Sequence, residues 1–408
     1  MHTAFRIAWR YFRGKKSAQA INIISWVTIG AIAVAAAAMV ILFSVFNGLE
    51  DTVKSMYAAF YPQLKITPAN GKFMELTNGQ KQRLQDVNGL AALSACVEDM
   101  VLVTANGQQK VASAKGVENT WFAVCGLDSF MTYGSPGWGS NLSYVPAMVG
   151  QGISIAMGID VSNDFTGMQL FYPKPGMAMA DDPQAALNGV VVKPIAEYRI
   201  QDDFDGQYIL VPLTAAQALL GIGNQISSVE LKLKKETNEA TVRKAIMAVM
   251  GNKVNIANTF EQNRTFFMIM RGEKWAVYFI LLMVLLIASF NMIGSLSMVV
   301  LEKKKDIAIL RSMGATAQLI RAIFLAEGIV LALVGGMGGM LLGCCICMGQ
   351  QVFGWVKLPQ GFVINEYPVS MQAMDFLLIF VTTALVGLLA ALYPSVKAAA
   401  QPAVLAQD

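Results

Sequence analysis

Four stretches of the chain are apolar for long enough to cross a bilayer, which takes about 20 residues. They cover about 23–46, 274–300, 322–349 and 374–396. The first carries no charge. The third has one acid, Glu327, near its start. Between them the pattern predicts a leader over 1–22, a large polar domain over 47–273, a short basic loop over 301–321, a loop over 350–373 and a tail over 397–408. Lys and Arg in short flanks stay in the cytoplasm. Arg6, Arg10, Arg13, Lys15 and Lys16 precede the first span, and Lys303, Lys304, Lys305, Arg311 and Arg321 follow the second. Both termini and the 301–321 loop are therefore expected inside, and the 47–273 domain outside. The first span is too long for a signal-peptide core and has no small-residue cleavage pattern after it. The leader around Phe5–Arg13 mixes aromatics with arginines and reads as an amphipathic helix on the inner leaflet.

The 47–273 segment alternates differently and predicts an α+β domain. A short strand is expected over 63–67. Strands over 101–105 and 110–116 flank Asn106-Gly107, a pair that tolerates the positive φ of a tight hairpin. A strand over 208–211 leads into a helix over 214–220. Farther on, a strand over 228–233, a helix capped by Thr237 with Val242, Ile246, Val249 and Met250 on one face, and a strand over 253–257 predict a βαβ unit. The Gly-, Pro- and aromatic-rich stretches 133–141 and 172–183 read as loops. The expected division is a subdomain built from both ends, with a β-rich insertion over about 115–215.

Composition sharpens this picture. Apolar residues make up 55% of the 408 positions even without glycine, and charged residues only 14%, against about 25% in soluble domains. A net charge of +4 is too small for a nucleic-acid binder. One histidine, His2, excludes His-based triads and His-rich metal sites. No metal site is expected. Cys344, Cys345 and Cys347 have no companion histidine and read as small packing residues. Cys96 and Cys125 lie in the outer segment. Their apolar settings suit a disulfide or a pair of buried thiols, and both readings stay open.

The basic loop reads Glu302-Lys303-Lys304-Lys305-Asp306-Ile307-Ala308-Ile309-Leu310-Arg311-Ser312-Met313-Gly314-Ala315-Thr316. Charges come first, then apolar residues at helical spacing, then a glycine stop. It is either a solvated basic turn or a short helix that docks on a cytoplasmic partner. Gly335, Gly339 and Gly343 repeat every four residues and predict close helix packing, within the bundle or against a second subunit. Asn291 and Ser295, one turn apart, are expected to hydrogen-bond between helices. Glu327 is expected to snorkel or to pair with Arg321. Gly14-Lys15-Lys16-Ser17 lacks the first glycine of a phosphate-binding loop, because Trp9 stands there, so the chain is expected to bind no nucleotide itself.

The run from Phe290-Asn291 through Glu302-Lys303, Asp306–Arg311 and Met313-Gly314-Ala315 resembles the permeases of the FtsX/MacB/Lol superfamily of ABC transporters. Ala8-Trp9-Arg10-Tyr11, Asn47-Gly48-Leu49-Glu50, Met148-Val149-Gly150 with Ile155-Ala156, and Asn365-Glu366-Tyr367-Pro368 look like the lipoprotein-releasing permeases LolC and LolE. Glu327-Gly328 and the tail Tyr393-Pro394-Ser395-Val396-Lys397 agree. Ala406 departs from the family's usual tail. The resemblance implies four spans with a MacB-like periplasmic core between the first two, in the inner membrane. It implies that Glu302, Lys303, Asp306, Ile307, Leu310, Arg311, Gly314 and Ala315 form a coupling element on a separate LolD-like ATPase that binds ATP and magnesium. It further implies a second permease copy or paralogue, an acylated lipoprotein as cargo and a periplasmic lipoprotein chaperone. The alternatives within the resemblance are a MacB-type efflux permease and an FtsX-like regulator of a cell-wall hydrolase.

Overall fold

The computed structural model describes residues 19–139, 142–163, 167–174, 186–358 and 366–401, with side chains from residue 23 onward. Residues 1–18 of the expected leader, most of the 172–183 loop and the tail beyond 401 lie outside the described residues. The chain forms two compact units, one holding the described residues up to Thr52 and from Met268 on, the other Val53–Phe267.

Helix α1 (Gln19–Phe60) is 42 residues long and does not stop at 46 as the apolar pattern predicts. The polar stretch Asn47-Gly48-Leu49-Glu50-Asp51 contains no proline, its single Gly48 costs only about 1 kcal/mol, and the first proline is Pro62. Beyond it Val53, Met56, Tyr57 and Phe60 fall at i, i+3, i+4 and i+7, an apolar stripe with a core to bury in.

In the outer unit the main elements are β1 (Leu64–Pro68), β2 (Met74–Glu75), α2 (Asn78–Gln85), β3 (Leu90–Ala105), β4 (Gln108–Val117), α3 (Trp121–Val124), β5 (Met131–Tyr133), β6 (Val145–Gly150), α4 (Gln151–Met157), β7 (Met168–Pro173), β8 (Leu187–Tyr198), β9 (Tyr208–Pro212), α5 (Leu213–Leu220), β10 (Gln225–Ile226), β11 (Ser228–Leu233), α6 (Glu239–Met250) and β12 (Val254–Asn258), with short helical turns at Asp202–Asp205 and Thr259–Gln262. The main sheet runs β12-β1-β11-β3-β4-β9-β6-β8-β5. Strand β1 lies between β11 and β12 and is antiparallel to both, so the predicted βαβ unit is a split one. Its helix is capped by Asn238, whose side chain accepts from Ala240 N–H, and not by Thr237. The hairpin at Asn106-Gly107 is present, with φ of 49° and 76°.

The β-rich segment expected over about 115–215 is joined to the rest of the outer unit through one long strand. Strand β3 is 16 residues long, about three times an average strand. Its first half pairs with β11 and its second half with β7. Because β7 also pairs with β8, the strands β3, β4, β9, β6, β8 and β7 close on themselves. Ring and split unit therefore share one strand and one core, including Leu64, Ile66, Val103, Val149, Leu170, Ile209 and Val229. Closure removes sheet edges, which would otherwise expose unpaired backbone.

The membrane unit adds α7 (Arg264–Glu302), α8 (Lys304–Ser312), α9 (Ala317–Phe353) and α10 (Ala373–Ala399). With α1, the helices α7, α9 and α10 are the four that are long and apolar enough to span. Each runs past its predicted ends, by a few residues for α9 and α10, by ten at the start for α7 and by fourteen at the end for α1. Contacts order them. Ile29, Ala33 and Ala37 of α1 meet Gly335, Gly339 and Gly343 of α9 in the same direction along the chain, whereas Ala391 and Ala332 meet Gly328 and Gly387 in opposite directions. So α1 and α9 run parallel, and α10 runs against α9. This places Gln19, Glu302, Thr316 and Ala399 at one end of the bundle, and Asn47, Lys274, Phe353 and Ala373 at the other.

Candidate functional site: the loop helix and the ends of the first span

The basic loop is folded. After Glu302 ends α7, Lys303 breaks the helix for one residue and α8 begins. The Lys303 ammonium lies 3.2 Å from Asp306 Oδ2. Ile307 and Ala308 are buried, Ile307 among Val299, Val300, Ile320, Phe324 and Ala398. Arg311 donates from Nη2 to the carbonyl of Ala399, tying α8 to the end of α10. The stop is a Schellman motif. Ala315 N–H reaches Leu310 O at 2.9 Å, Gly314 N–H reaches Arg311 O at 3.0 Å, and Gly314 takes φ +91°. Thr316 then caps α9 through Leu319 N–H. The Met313-Gly314-Ala315-Thr316 string is therefore one joint, and its glycine supplies a backbone angle that L-residues resist.

The structure divides the predicted coupling residues. Ile307 faces inward and anchors the helix, while Leu310 and Arg311 are half-buried. The free face carries Lys305, Ile309 and Met313 at four-residue steps, with Ile309 58% and Met313 79% exposed. Ile309 and Met313 were not among the predicted coupling residues. Their signal was their offset by two and six residues from buried Ile307, which puts them on the other side of the helix.

At the opposite end of the bundle a polar clasp joins three helices. Asn47 Nδ2 donates to Asp375 Oδ2 at 2.6 Å, and Lys274 Nζ donates to Asn47 Oδ1 at 2.7 Å. Lys274 also lies 3.3 Å from Asp375 Oδ1 and 5.3 Å from the Phe43 ring centre. Asn47 is buried, so each of its amide atoms needs these partners. The backbone of Pro368-Val369 packs where a side chain on Gly48 would stand. This gives Asn47-Gly48 a physical reason: an amide for the clasp, then no side chain. Sequence reasoning singled out Asn47-Gly48 but did not join it to Lys274 and Asp375, which are 227 and 328 residues away.

In the outer unit the last turns of α1 are sunk in an aromatic core. Phe60 is fully buried, with ring centres of Tyr208 at 4.5 Å, Phe204 at 5.1 Å and Trp121 at 5.9 Å. A phenylalanine so enclosed is worth about 3–5 kcal/mol relative to alanine. Beneath it lies a buried ion pair. Lys115 Nζ is 2.9 Å from Glu230 Oε1 and 4.7 Å from the Phe60 ring centre, and Trp121 Nε1 donates to Glu230 Oε2 at 2.6 Å. Burial works against the ammonium. The Glu230 carboxylate, helped by Glu98, outweighs it and holds Lys115 above the usual lysine range.

The chain is similar to known proteins along its length. Residues 25–249 match the MacB-like periplasmic core domain, and residues 278–403 match the FtsX-like permease C-terminal domain. The lipoprotein-releasing system transmembrane protein LolE of Haemophilus influenzae is 27% identical, covering 99% of both chains. LolC of Neisseria meningitidis is 24% identical, covering 97% of both. The crystal structure of the periplasmic region of MacB from Actinobacillus actinomycetemcomitans is similar over 52% of this chain and 94% of that one, at 11% identity and a TM-score of 0.37.

The chain belongs to the FtsX/MacB family of ABC transporter permeases. Permease subunits of this family carry no ATPase site of their own, and the chain is an inner-membrane protein with a periplasmic domain. Among its described residues, no group of three or more His, Cys, Asp or Glu side chains is placed to hold a metal.

The remaining predicted residues of the permease sort clearly. The Gly335, Gly339 and Gly343 stripe packs within the bundle on the α1 backbone, where any side chain at these positions would collide. Ser295 is buried, with Ser25 Oγ of α1 at 3.5 Å, but Asn291 points out of the bundle. Asn291 lies on the outward stripe with Ile287, Phe290 and Met298, so the two residues face different surroundings. Glu327 does not snorkel: it is buried among the helices while Arg321 is exposed. Of the two readings left open for Cys96 and Cys125, the structure has the buried free thiols. Cys125 Sγ turns to Phe60 O at 3.5 Å, and Cys96 Sγ faces Ser94 instead. Burial pushes both thiols up, which keeps them protonated and unreactive.

Proposed function

We propose that this permease releases acylated lipoproteins from the inner membrane for transfer to the outer membrane, by mechanical coupling to a separate ATPase. The observation that carries this reading is full-length similarity, over 97–99% of both chains, to two relatives named for lipoprotein release. Each buried CH₂ of an acyl chain costs about 0.8 kcal/mol to withdraw from the bilayer. Withdrawing several chains needs an energy source, which a LolD-like ATPase with bound ATP and magnesium supplies from the cytoplasm.

The N-terminus, the C-terminus and α8 are cytoplasmic in this reading, in line with the basic flanks. The free face of α8, with Lys305, Ile309 and Met313, docks on the ATPase. Ile307 and Arg311 fix it to the bundle, and Gly314-Ala315 fixes it to α9, so that a push on α8 moves the spans. Residues of both α1 and α7 belong to each unit, which makes these helices the covalent routes to the periplasmic domain. The cargo is expelled from the outer leaflet and received by a periplasmic lipoprotein chaperone. Asn291, a polar residue amid Ile287, Phe290 and Met298, supports a facing helix there from a second permease copy or paralogue, because lipid gives an amide no partner.

Depletion of the permease tests the reading. Newly made lipoproteins should accumulate in the inner membrane within the depletion period, as read by pulse-labelling and membrane fractionation. Normal arrival at the outer membrane, with septation or drug-sensitivity defects alone, overturns it.

A further inference from the structure

At the clasp end of the bundle, α1 and α9 part to leave a cavity of about 260 Å³, lined by Ile41, Val45, Ile346, Cys347, Trp355 and Val356 among others. The walls offer almost no polar surface. The one amide in reach, on Gln350, is already used: Nε2 donates to Val356 O at 2.9 Å and Tyr367 O at 3.3 Å, and Oε1 accepts from Val356 N–H at 2.9 Å. A water needs two to four polar partners, so water has no reason to fill this space. Typical pockets for drug-sized ligands hold about 300–1,000 Å³. This one is narrower and suits a slim hydrocarbon tail.

The mouth of the cavity has the marks of a membrane interface. Phe353 and Trp355 are exposed, and their rings stack at 5.8 Å, as in the aromatic belts at headgroup depth. Lys357 follows the lining residue Val356 and is exposed. Its backbone bridges Glu366, but the Glu366 carboxylate turns onto Gly354. Among the described residues, no carboxylate pairs with the Lys357 ammonium. Lys357 is not part of the slot's lining but follows it by one residue, and a long, exposed cationic side chain one residue past a dry apolar slot is complementary to a phosphate attached to an acyl chain.

We propose that this slot holds one resident anionic phospholipid of the outer leaflet, its acyl chain between α1 and α9 and its phosphate on Lys357. The proposal rests on the membrane location of the helices and is independent of the cargo. The full-length permease is reconstituted in phosphatidylcholine bilayers containing phosphatidylglycerol, extracted gently, and weighed with its retained lipid by native mass spectrometry. One phosphatidylglycerol should remain, preferred over phosphatidylcholine by about fivefold, the equivalent of roughly 1 kcal/mol for one lysine near an anionic surface. Lys357→Gln, an exposed change that leaves the fold alone, should bring the preference to unity. Val45→Phe should fill the slot and remove the retained lipid. Three results overturn the proposal: equal retention of the two lipids by the wild type, undiminished retention in a folded Val45→Phe, or replacement of the lipid one-for-one by a triacylated peptide.

Discussion

Asp205 shows how one residue sets a measurable property of the outer unit. Its side chain is buried and accepts Ile200 N–H at 2.8 Å. Burial pushes its carboxyl up to about 6. At low pH the group is protonated in folded and unfolded chains alike. Between the usual aspartate range and 6, only the folded chain holds the proton, so stability falls as pH rises through that window and then stays level. Asp205→Asn keeps an acceptor for Ile200 and removes the charge. We expect its melting temperature, read by tryptophan fluorescence of the solubilised full chain, to lose most of this downward slope and to exceed the wild type at neutral pH. An unchanged slope would assign it to another group. Residues of this kind were not legible beforehand. Asp202-Asp203-Phe204-Asp205 looks like a solvated acidic turn, and only the close approach of Gly150 to the Asp205 backbone reveals the burial. By contrast Asn106-Gly107 and Gly314 were legible, because their local backbone angles alone demand those residue types.

Among the elements, α8 is the one whose two faces make opposite predictions. Ile309→Asp and Met313→Asp alter only exposed positions. They should lower co-purification of the ATPase by at least about tenfold, or roughly 1.4 kcal/mol, while the loop stays as protease-resistant as in the wild type. Ile307→Asp puts a charge among Val299, Ile320 and Phe324 and should make the loop protease-sensitive. Equal ATPase binding by all three variants would remove the docking role. The helix itself was readable from its charge block, its apolar spacing and its glycine stop. Which face would be covered was not, because that is decided by Ala398, Ile320 and Phe324, which approach from other helices. The same lesson holds for β3. Its hairpin half was readable, but its other half, Leu90–Cys96 against Ser228–Leu233, depends on pairing more than 130 residues away. For the same reason the β-rich part begins earlier than 115, in the second half of β3.

For the whole molecule, the four spans and the interposed domain followed from hydropathy and length, since a bilayer imposes both. What hydropathy left open was which outward faces meet lipid and which meet protein. If α7 faces a second permease copy, Asn291→Cys should form an intermolecular crosslink on mild oxidation in native membranes, and Leu341→Cys, on the outward face of α9, should not. Crosslinking at neither position would leave the Asn291 face to lipid. Inside the bundle, the contact between α1 and α9 has a periodicity of its own. Backbone oxygens at Ile29, Ala33 and Ala37 sit against glycines 335, 339 and 343, both sets repeating every four residues. A shift of one, two or three residues would bring a carbonyl against a position with a side chain, such as Met340 or Leu341. A shift of four, about 6 Å, restores two of the three seats. Axial travel of the first span past the third is thus notched, with rest positions a full step apart and nothing comfortable in between.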